Sequence, residues 1–306
     1  MSASVVDGAS DEQRSWRIAS ADLRQVLATR APLRGVRIQD LDLRPYEAML
    51  LTRTELEGLV VLGGDMSHGL ADHLRLHGAL VFPTDPHVPI NPYRASLYRS
   101  GELYEGLTAR GYADTPDARA YVWSQDASLG HDIFATLLRA IHDDSMSDAL
   151  TEVLVGRTVV GVMGGHALQR GTEEYADAAR LGHALADAGH VVVTGGGPGA
   201  MEAANLGAFV GHGSRLDTAL DRLAAVPSFR PSIDDWAQVA MDVRTDLREE
   251  NLKGGTSGVR SLGIPTWFYG HEPPNVFCNG IAKYFSNAIR EDALLSRCSG
   301  GLVVLP

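Results

Sequence analysis

The chain has 306 residues, 44% of them apolar and 21% charged, which is enough for one large or two ordinary globular domains, each with its own core. Its formal net charge of −11 speaks against a general nucleic-acid binder, whose phosphate contacts come with a basic surface. Its longest apolar runs, such as "GLVVLGG" and "GGLVVLP", fall far short of the ~18 to 20 consecutive apolar residues of a membrane span.

At the N-terminus, "MSASVVDGASDEQ" shows no basic region leading into an apolar stretch and reads as a frayed cytosolic end. Residues 15–56 read as a helix and a short strand. In "LEGLVVLGGDMSHGLADHLRLHGALVFP" two apolar runs flank a short amphipathic helix, a small βαβ-like unit. This helix carries His68, His73 and His77. The i, i+4 pair His73/His77 has metal-chelating spacing, but no acid or thiol completes a ligand set, so ordinary partly exposed histidines are expected. Pro83, Pro86, Pro89 and Pro92 mark a loop. Helical periodicity returns over 131–154, with Ile133, Leu137, Leu138 and Ile141 on one face and "IHDDSMSD" read as solvated. The seam is expected near residue 150, giving a small α/β domain over 1–150 and a second domain over 151–306.

The second half is plainer. "RTVVGVMGG" (157–165) reads as a buried strand ending in a glycine turn, and 173–189 as a helix whose Ala178, Leu181, Leu185 and Ala188 face the sheet. "HVVVTGGG" (190–197) is the next strand and 200–210 the next helix. Continuous apolar strands alternating with helices predict a doubly wound parallel sheet covered on both faces. The right-handed crossover then places both glycine turns at its carboxyl edge, where ligands bind.

Gly195, Gly196, Gly197 and Gly199 supply bare backbone where a strand turns at once into a helix, and Pro198 presets the helix start. The amides of the helix opening at Ala200 and Met201, with the neighbouring Gly164 and Gly165, form a natural seat for phosphate; the plainer alternative is a tight connection between packed elements. Gly195, Gly197 and Ala200 also satisfy GxGxxA, with Asp217 about twenty residues on. That dinucleotide reading is weak, because the loop follows the second strand of its unit and no strand runs up to Asp217.

Further on, residues 214–257 form one or two extra helices, suited to a lid or a subunit interface, and "KGGTSG" after them reads as mobile. Trp236, Trp267 and Phe268 read as core or interface rather than base-stacking platforms. His271 and Glu272 in "GHEPPN" sit in a proline-rigid loop and are candidates for base or ribose recognition. Cys278 and Cys298 form no disulfide framework or metal-ligand spacing and read as small buried hydrophobes of a reducing, cytoplasmic protein.

"VGVMGG", a helix, "VVVTGGGPGAMEAANLGA" and the later "GGLVVLP" together resemble the LOG (lonely guy, or lysine decarboxylase-like) family of Rossmann-fold phosphoribohydrolases. "SLGIPTWFYGHEPPNVFCNGIAKYFSNAIREDALL" (261–295) resembles more narrowly its long branch, the pyrimidine/purine nucleotide 5′-monophosphate nucleosidases, which carry an extra N-terminal domain. The resemblance implies hydrolysis of the N-glycosidic bond of a nucleoside monophosphate to free base and ribose 5-phosphate, no metal or redox cofactor, and a homo-oligomeric habit. It places the first glycine motif on Gly195 to Gly199 with Met201 and Glu202, and the catalytic arginine on Arg290. The second motif, PGGxGTxxE, would begin at Pro306, so a longer protein is expected, with weak turnover by this stretch alone.

The chemistry asks for the same groups. Breaking C1′–N creates an oxocarbenium-like centre, which needs a carboxylate to stabilise it and orient water. An arginine fork holds phosphate or carboxylate. Arg290 and Glu202 are the catalytic candidates, although Arg290 could instead pair with Glu291 or Asp292, and Glu202 could be a capping residue. A nucleotide-sensing module of the same fold without turnover is the alternative.

Overall fold

Short apolar strands alternating with helices build two all-parallel sheets in a computed structural model that describes residues 17–18, 20–29, 31–211, 215–253, 258–269 and 272–305. His271, residues 254–257 and Pro306, each given a part above, lie outside the described residues. The chain forms two compact units, Met1–Pro86 and His87–Pro306.

In the first unit, β1 (Arg17–Ile18), β2 (Arg37–Gln39), β3 (Val60–Leu62) and β4 (Leu80–Phe82) pair in chain order, joined through α1 (Ser20–Ala28), α2 (Glu47–Leu50) and α3 (His68–Leu76). The βαβ reading of β3, α3 and β4 holds. Ser67 caps α3 by accepting from the Leu70 amide at 3.0 Å, and Leu70 and Leu74 pack with Ile38, Leu59 and Val61 in this unit's own core. The rings of His73 and His77 lie tilted against each other with centroids 4.2 Å apart. Among the described residues no three or more His, Cys, Asp or Glu side chains are grouped to hold a metal ion.

In the second unit, α4 (Ser100–Leu103), α5 (Leu107–Arg110), α6 (Pro116–Gln125) and α7 (Ile133–Leu154) precede β5 (Val159–Met163). Then come α8 (Glu173–Asp187), β6 (Val191–Thr194), α9 (Ala200–Phe209), α10 (Leu216–Leu223), α11 (Ile233–Lys253), β7 (Ser261–Gly263), β8 (Gly280–Ile281), α12 (Asn287–Leu295) and β9 (Gly301–Val304). The strand order is β8-β7-β6-β5-β9, the α/β doubly wound, Rossmann-like arrangement expected. The chain steps outward from β5 to β8 and then crosses back to the far side of β5, which puts the switch point of the topology at the carboxyl end of β5. Gly182 of α8 and Gly207 of α9 let these helices touch backbone to backbone: a Cβ on either would run into a carbonyl, of Ala204 or Ala179 respectively.

Several readings change. The chain divides after Pro86, not near residue 150, because Met146, Ala149 and Leu150 of α7 share one core with Val159, Val191 and Val193. On α7 Leu138 is buried as expected but the apolar Ile133 and Leu137 are exposed, while His142, Asp143 and Ser145 of "IHDDSMSD" are buried, the first two hydrogen-bonded. On α8 the buried face is Tyr175, Ala178, Ala179, Gly182 and Ala186, and Ala188 is exposed. As for the inserted helices, Trp236, Ala237, Ala240 and Val243 of α11 belong to the main core, so α11 is a packed element and not a lid. Trp267 is buried as expected, whereas Phe268 is exposed. No helix among the described residues is long and apolar enough to cross a membrane.

Candidate functional site

The glycine turn after β6 is held from beneath by a buried polar cluster. Thr194, the last residue of β6, donates to Asn205 Oδ1 at 2.6 Å and accepts from the Gly196 amide at 2.9 Å. Asn205, from α9, also donates to Ser261 Oγ at 2.9 Å and to the Leu262 carbonyl at 3.1 Å. Asn275 closes the set: its amide donates to the Gly196 carbonyl at 2.8 Å, and its Nδ2 to the Gly197 carbonyl at 3.1 Å and Asn205 Oδ1 at 3.0 Å. Buried groups so fully partnered fix one loop conformation. Gly196 and Gly199, at φ of 71° and 73°, take backbone that a side chain would strain.

The turn after β5 is tied to this one. The Ala200 amide donates to the Gly165 carbonyl at 3.1 Å, and Gly164 lies against Ala200 Cβ. That amide, offered above to phosphate, is therefore spent on the neighbouring turn. Gly164, Gly165, Gly196, Gly199 and Ala200 build the site from behind, while Gly195, Gly197 and Met201 face a cleft of about 310 Å³.

Arg290 lines the same cleft from α12. Ser286 caps this helix by accepting from the Ile289 amide at 3.4 Å, and Asp143 of α7 clamps its start, accepting from the amides of Phe285 at 2.9 Å and Ser286 at 2.8 Å. Arg290 Nη2 donates to Asn287 Oδ1 at 2.9 Å, so it pairs with neither Glu291 nor Asp292 among the described contacts. Its Nε is buried with no hydrogen-bond partner among the described residues. A Cβ built on Gly195 would lie 2.8 Å from Met201 Sδ and 3.9 Å from Arg290 Nη1; one on Gly197 would lie 2.8 Å from Met201 Cε and 3.3 Å from Glu272 Oε2. Side chains at these two glycines would fill the space that the arginine and the carboxylate face.

Glu272 enters from the "EPPN" loop, with Oε1 3.0 Å from His166 Nδ1. Tyr269, half exposed at the mouth, has its hydroxyl accepting from Asn287 Nδ2 at 3.0 Å. Pro265 and Thr266 complete the wall.

Glu202 does not line this cleft. It is fully buried, and Arg170 grips it with two bonds, Nε to Oε2 at 2.9 Å and Nη2 to Oε1 at 2.5 Å. Tyr175 donates to Oε2 at 2.9 Å. Burial, and then the Glu202 charge, push the Tyr175 hydroxyl well above its ordinary pKa, so it remains a donor. Glu202 borders a separate cavity of about 200 Å³ on the other side of His166, beside Trp236, whose ring lies 4.5 Å from the Arg170 guanidinium carbon. Asp217 sits in the first turn of α10 and follows no strand, which agrees with setting the dinucleotide reading aside. Reading the sequence missed His166, Asn205, Asn275 and Asp143. Only the asparagines leave a trace, as lone amides inside otherwise apolar runs.

Residues 157–216, which span β5, both glycine turns and α9, match the model of the LDcluster4: SLOG cluster4 family. The match indicates the SLOG superfamily, which takes in LOG-like families, and supports a nucleotide-related role for this segment. No curated protein matches the chain.

Proposed function

We propose that the cleft binds a nucleoside 5′-monophosphate and hydrolyses its N-glycosidic bond. The observation that carries this reading is a half-buried arginine whose Nε is buried without a partner among the described residues, set beside bare glycine backbone and opposite a carboxylate. The phosphate sits between Arg290 and the turn at Gly195 and Gly197, which supply charge and backbone amides. The sugar then reaches towards Glu272, whose charge stabilises the ribosyl cation as C1′–N breaks. Water adds its hydroxyl to C1′, its proton ends on the departing base, and the products are free base and ribose 5-phosphate. In this reading Glu202 acts from behind the loop, fixing the first turn of α9, and Glu272 takes the role at the reacting carbon. Exposed Tyr269 and Phe268, with ring centroids 5.3 Å apart, offer the base a face at the mouth.

The second reading is a nucleotide sensor without turnover. It is favoured by the state of the carboxylates, since His166 holds one oxygen of Glu272 and Arg170 closes off Glu202. Incubation with AMP, GMP, UMP and CMP followed by chromatography separates the two. Base release that falls at least about a hundredfold in Arg290→Ala and in Glu272→Gln supports the enzyme. Saturable binding with no free base supports the sensor. Neither binding nor release would remove both.

A further inference from the structure

The turn after β5 also brings His166 into the cleft, and the reaction proposed there leaves that ring without a role. Its main chain is held by the glycine turn beside it. Gly199, at φ of 73°, approaches so closely that a Cβ there would lie 2.9 Å from both the carbonyl carbon and the carbonyl oxygen of His166. The Ala200 amide ties down the preceding Gly165 carbonyl at 3.1 Å. From this fixed backbone the half-exposed ring sets Nδ1 3.0 Å from Glu272 Oε1. A carboxylate at Nδ1 orients the imidazole and leaves Nε2 to meet a bound molecule, the arrangement by which histidines are prepared for proton transfer.

The chemistry of the cleft calls for such a group. A nucleobase leaves poorly as an anion, so breaking its bond to ribose is eased when a positioned acid protonates it. Of the other side chains lining the cleft, Arg290 does not give up its proton. The Thr266 hydroxyl donates to the Tyr284 carbonyl at 3.0 Å, and Glu272 is needed as a carboxylate to face the ribosyl cation. On the other side of His166, Glu202 and Arg170 are bonded to each other. Histidine is the side chain that exchanges protons in the neutral range.

We propose that His166 is a catalytic residue, the acid that protonates the departing base, with Glu272 orienting its ring; this rests on the nucleosidase reading of the cleft. As C1′–N9 of a purine nucleotide breaks, its electron pair passes into the base and the proton on Nε2 of His166 moves to N7, so the base leaves neutral. The water oxygen bonds to C1′, and the proton it sheds passes to Glu272. Glu272 releases that proton to solvent and His166, half exposed, takes one up. One water is consumed and both side chains return to their starting states.

The test compares leaving groups on the full chain. AMP needs a proton at its base, whereas 4-nitrophenyl ribofuranoside 5-phosphate releases a phenolate that needs none. In His166→Gln, kcat on AMP is expected to fall at least about a hundredfold, and the ratio of the nitrophenyl rate to the AMP rate to rise by a similar factor. Arg290→Ala lowers both rates together and leaves that ratio in place. 7-Deaza-AMP, which lacks N7, is cleaved far more slowly than AMP by the wild type and no more slowly than AMP by His166→Gln. Thermal melting of His166→Gln and His166→Ala confirms that both fold, as a half-exposed ring leads one to expect. Equal losses on both substrates would reduce His166 to a support for Glu272 and overturn the acid role. Unchanged AMP hydrolysis in the variants, or wild-type cleavage of 7-deaza-AMP as fast as AMP, would overturn it too while leaving the nucleosidase reading intact. A wild-type chain that cleaves neither AMP nor the nitrophenyl compound removes both.

Discussion

Two charged residues in the second unit stand in opposite states. Arg290 lines the cleft and keeps a buried Nε with no hydrogen-bond partner among the described residues, a state that costs energy. Glu202 has both oxygens bonded, by Arg170 and Tyr175, at zero exposure. Removing one partner of such a buried pair strands the other charge, at about 3–5 kcal/mol. Arg170→Met and Glu202→Gln are therefore expected to lower Tm by roughly 10 °C, measured by calorimetry on ligand-free protein. A Glu202→Gln protein with wild-type Tm and no base release would return Glu202 to the chemistry. At Cys278 burial outweighs the opposing pull of Arg244: its thiol is pushed up to about 12, so it should resist alkylation in the native protein and react on unfolding.

Among the elements, α8 and α9 are the pair whose approach sets the glycine turn, because α9 begins where the turn ends. Gly207→Ala drives a Cβ into the Ala179 carbonyl, so α9 must move outward and carry Gly195–Gly199 with it. The expected outcome is a lower Tm together with weaker AMP binding; loss of stability with unchanged AMP affinity would show that the turn is held by Asn205 and Asn275 rather than by the helix contact. This part of the fold was legible in the sequence, since runs of valine between glycine turns specify buried parallel strands whatever surrounds them, and the second turn places Gly195, Gly197 and Met201 at the cleft. Arg290, named through resemblance, lines that cleft. His166 and Asp143 were not legible, because their partners, Glu272 and the start of α12, are brought near only by tertiary packing. The misplaced seam has the same origin: α7 buries His142 and Asp143 beside Leu138, Met146 and Leu150 while exposing Ile133 and Leu137, so apolar periodicity marks only part of its buried face.

At the scale of the second unit as a whole, the buried histidine of α7 makes stability depend on pH. His142 is fully buried, its Nε2 2.8 Å from the Tyr98 hydroxyl and its Nδ1 3.1 Å from Asp143 Oδ1. Burial lowers its pKa, outweighing the opposing pull of Asp143. Between the ordinary histidine range and this lowered value the unfolded chain binds more protons than the native one, so stability falls as pH falls through that window and is recovered above it. Acid also relieves the self-repulsion of a chain carrying −11 charges, which acts in the opposite direction, so the informative comparison is with a variant. Calorimetric melts between pH 7.5 and 5 should show a smaller acid-side loss of Tm in His142→Gln than in the wild type. Asp143 joins His142 to the amides of Phe285 and Ser286, so hydrogen exchange at those two amides should quicken over the same window and carry the change to the helix that presents Arg290. Parallel Tm curves for the two proteins would place the pH dependence elsewhere in the molecule.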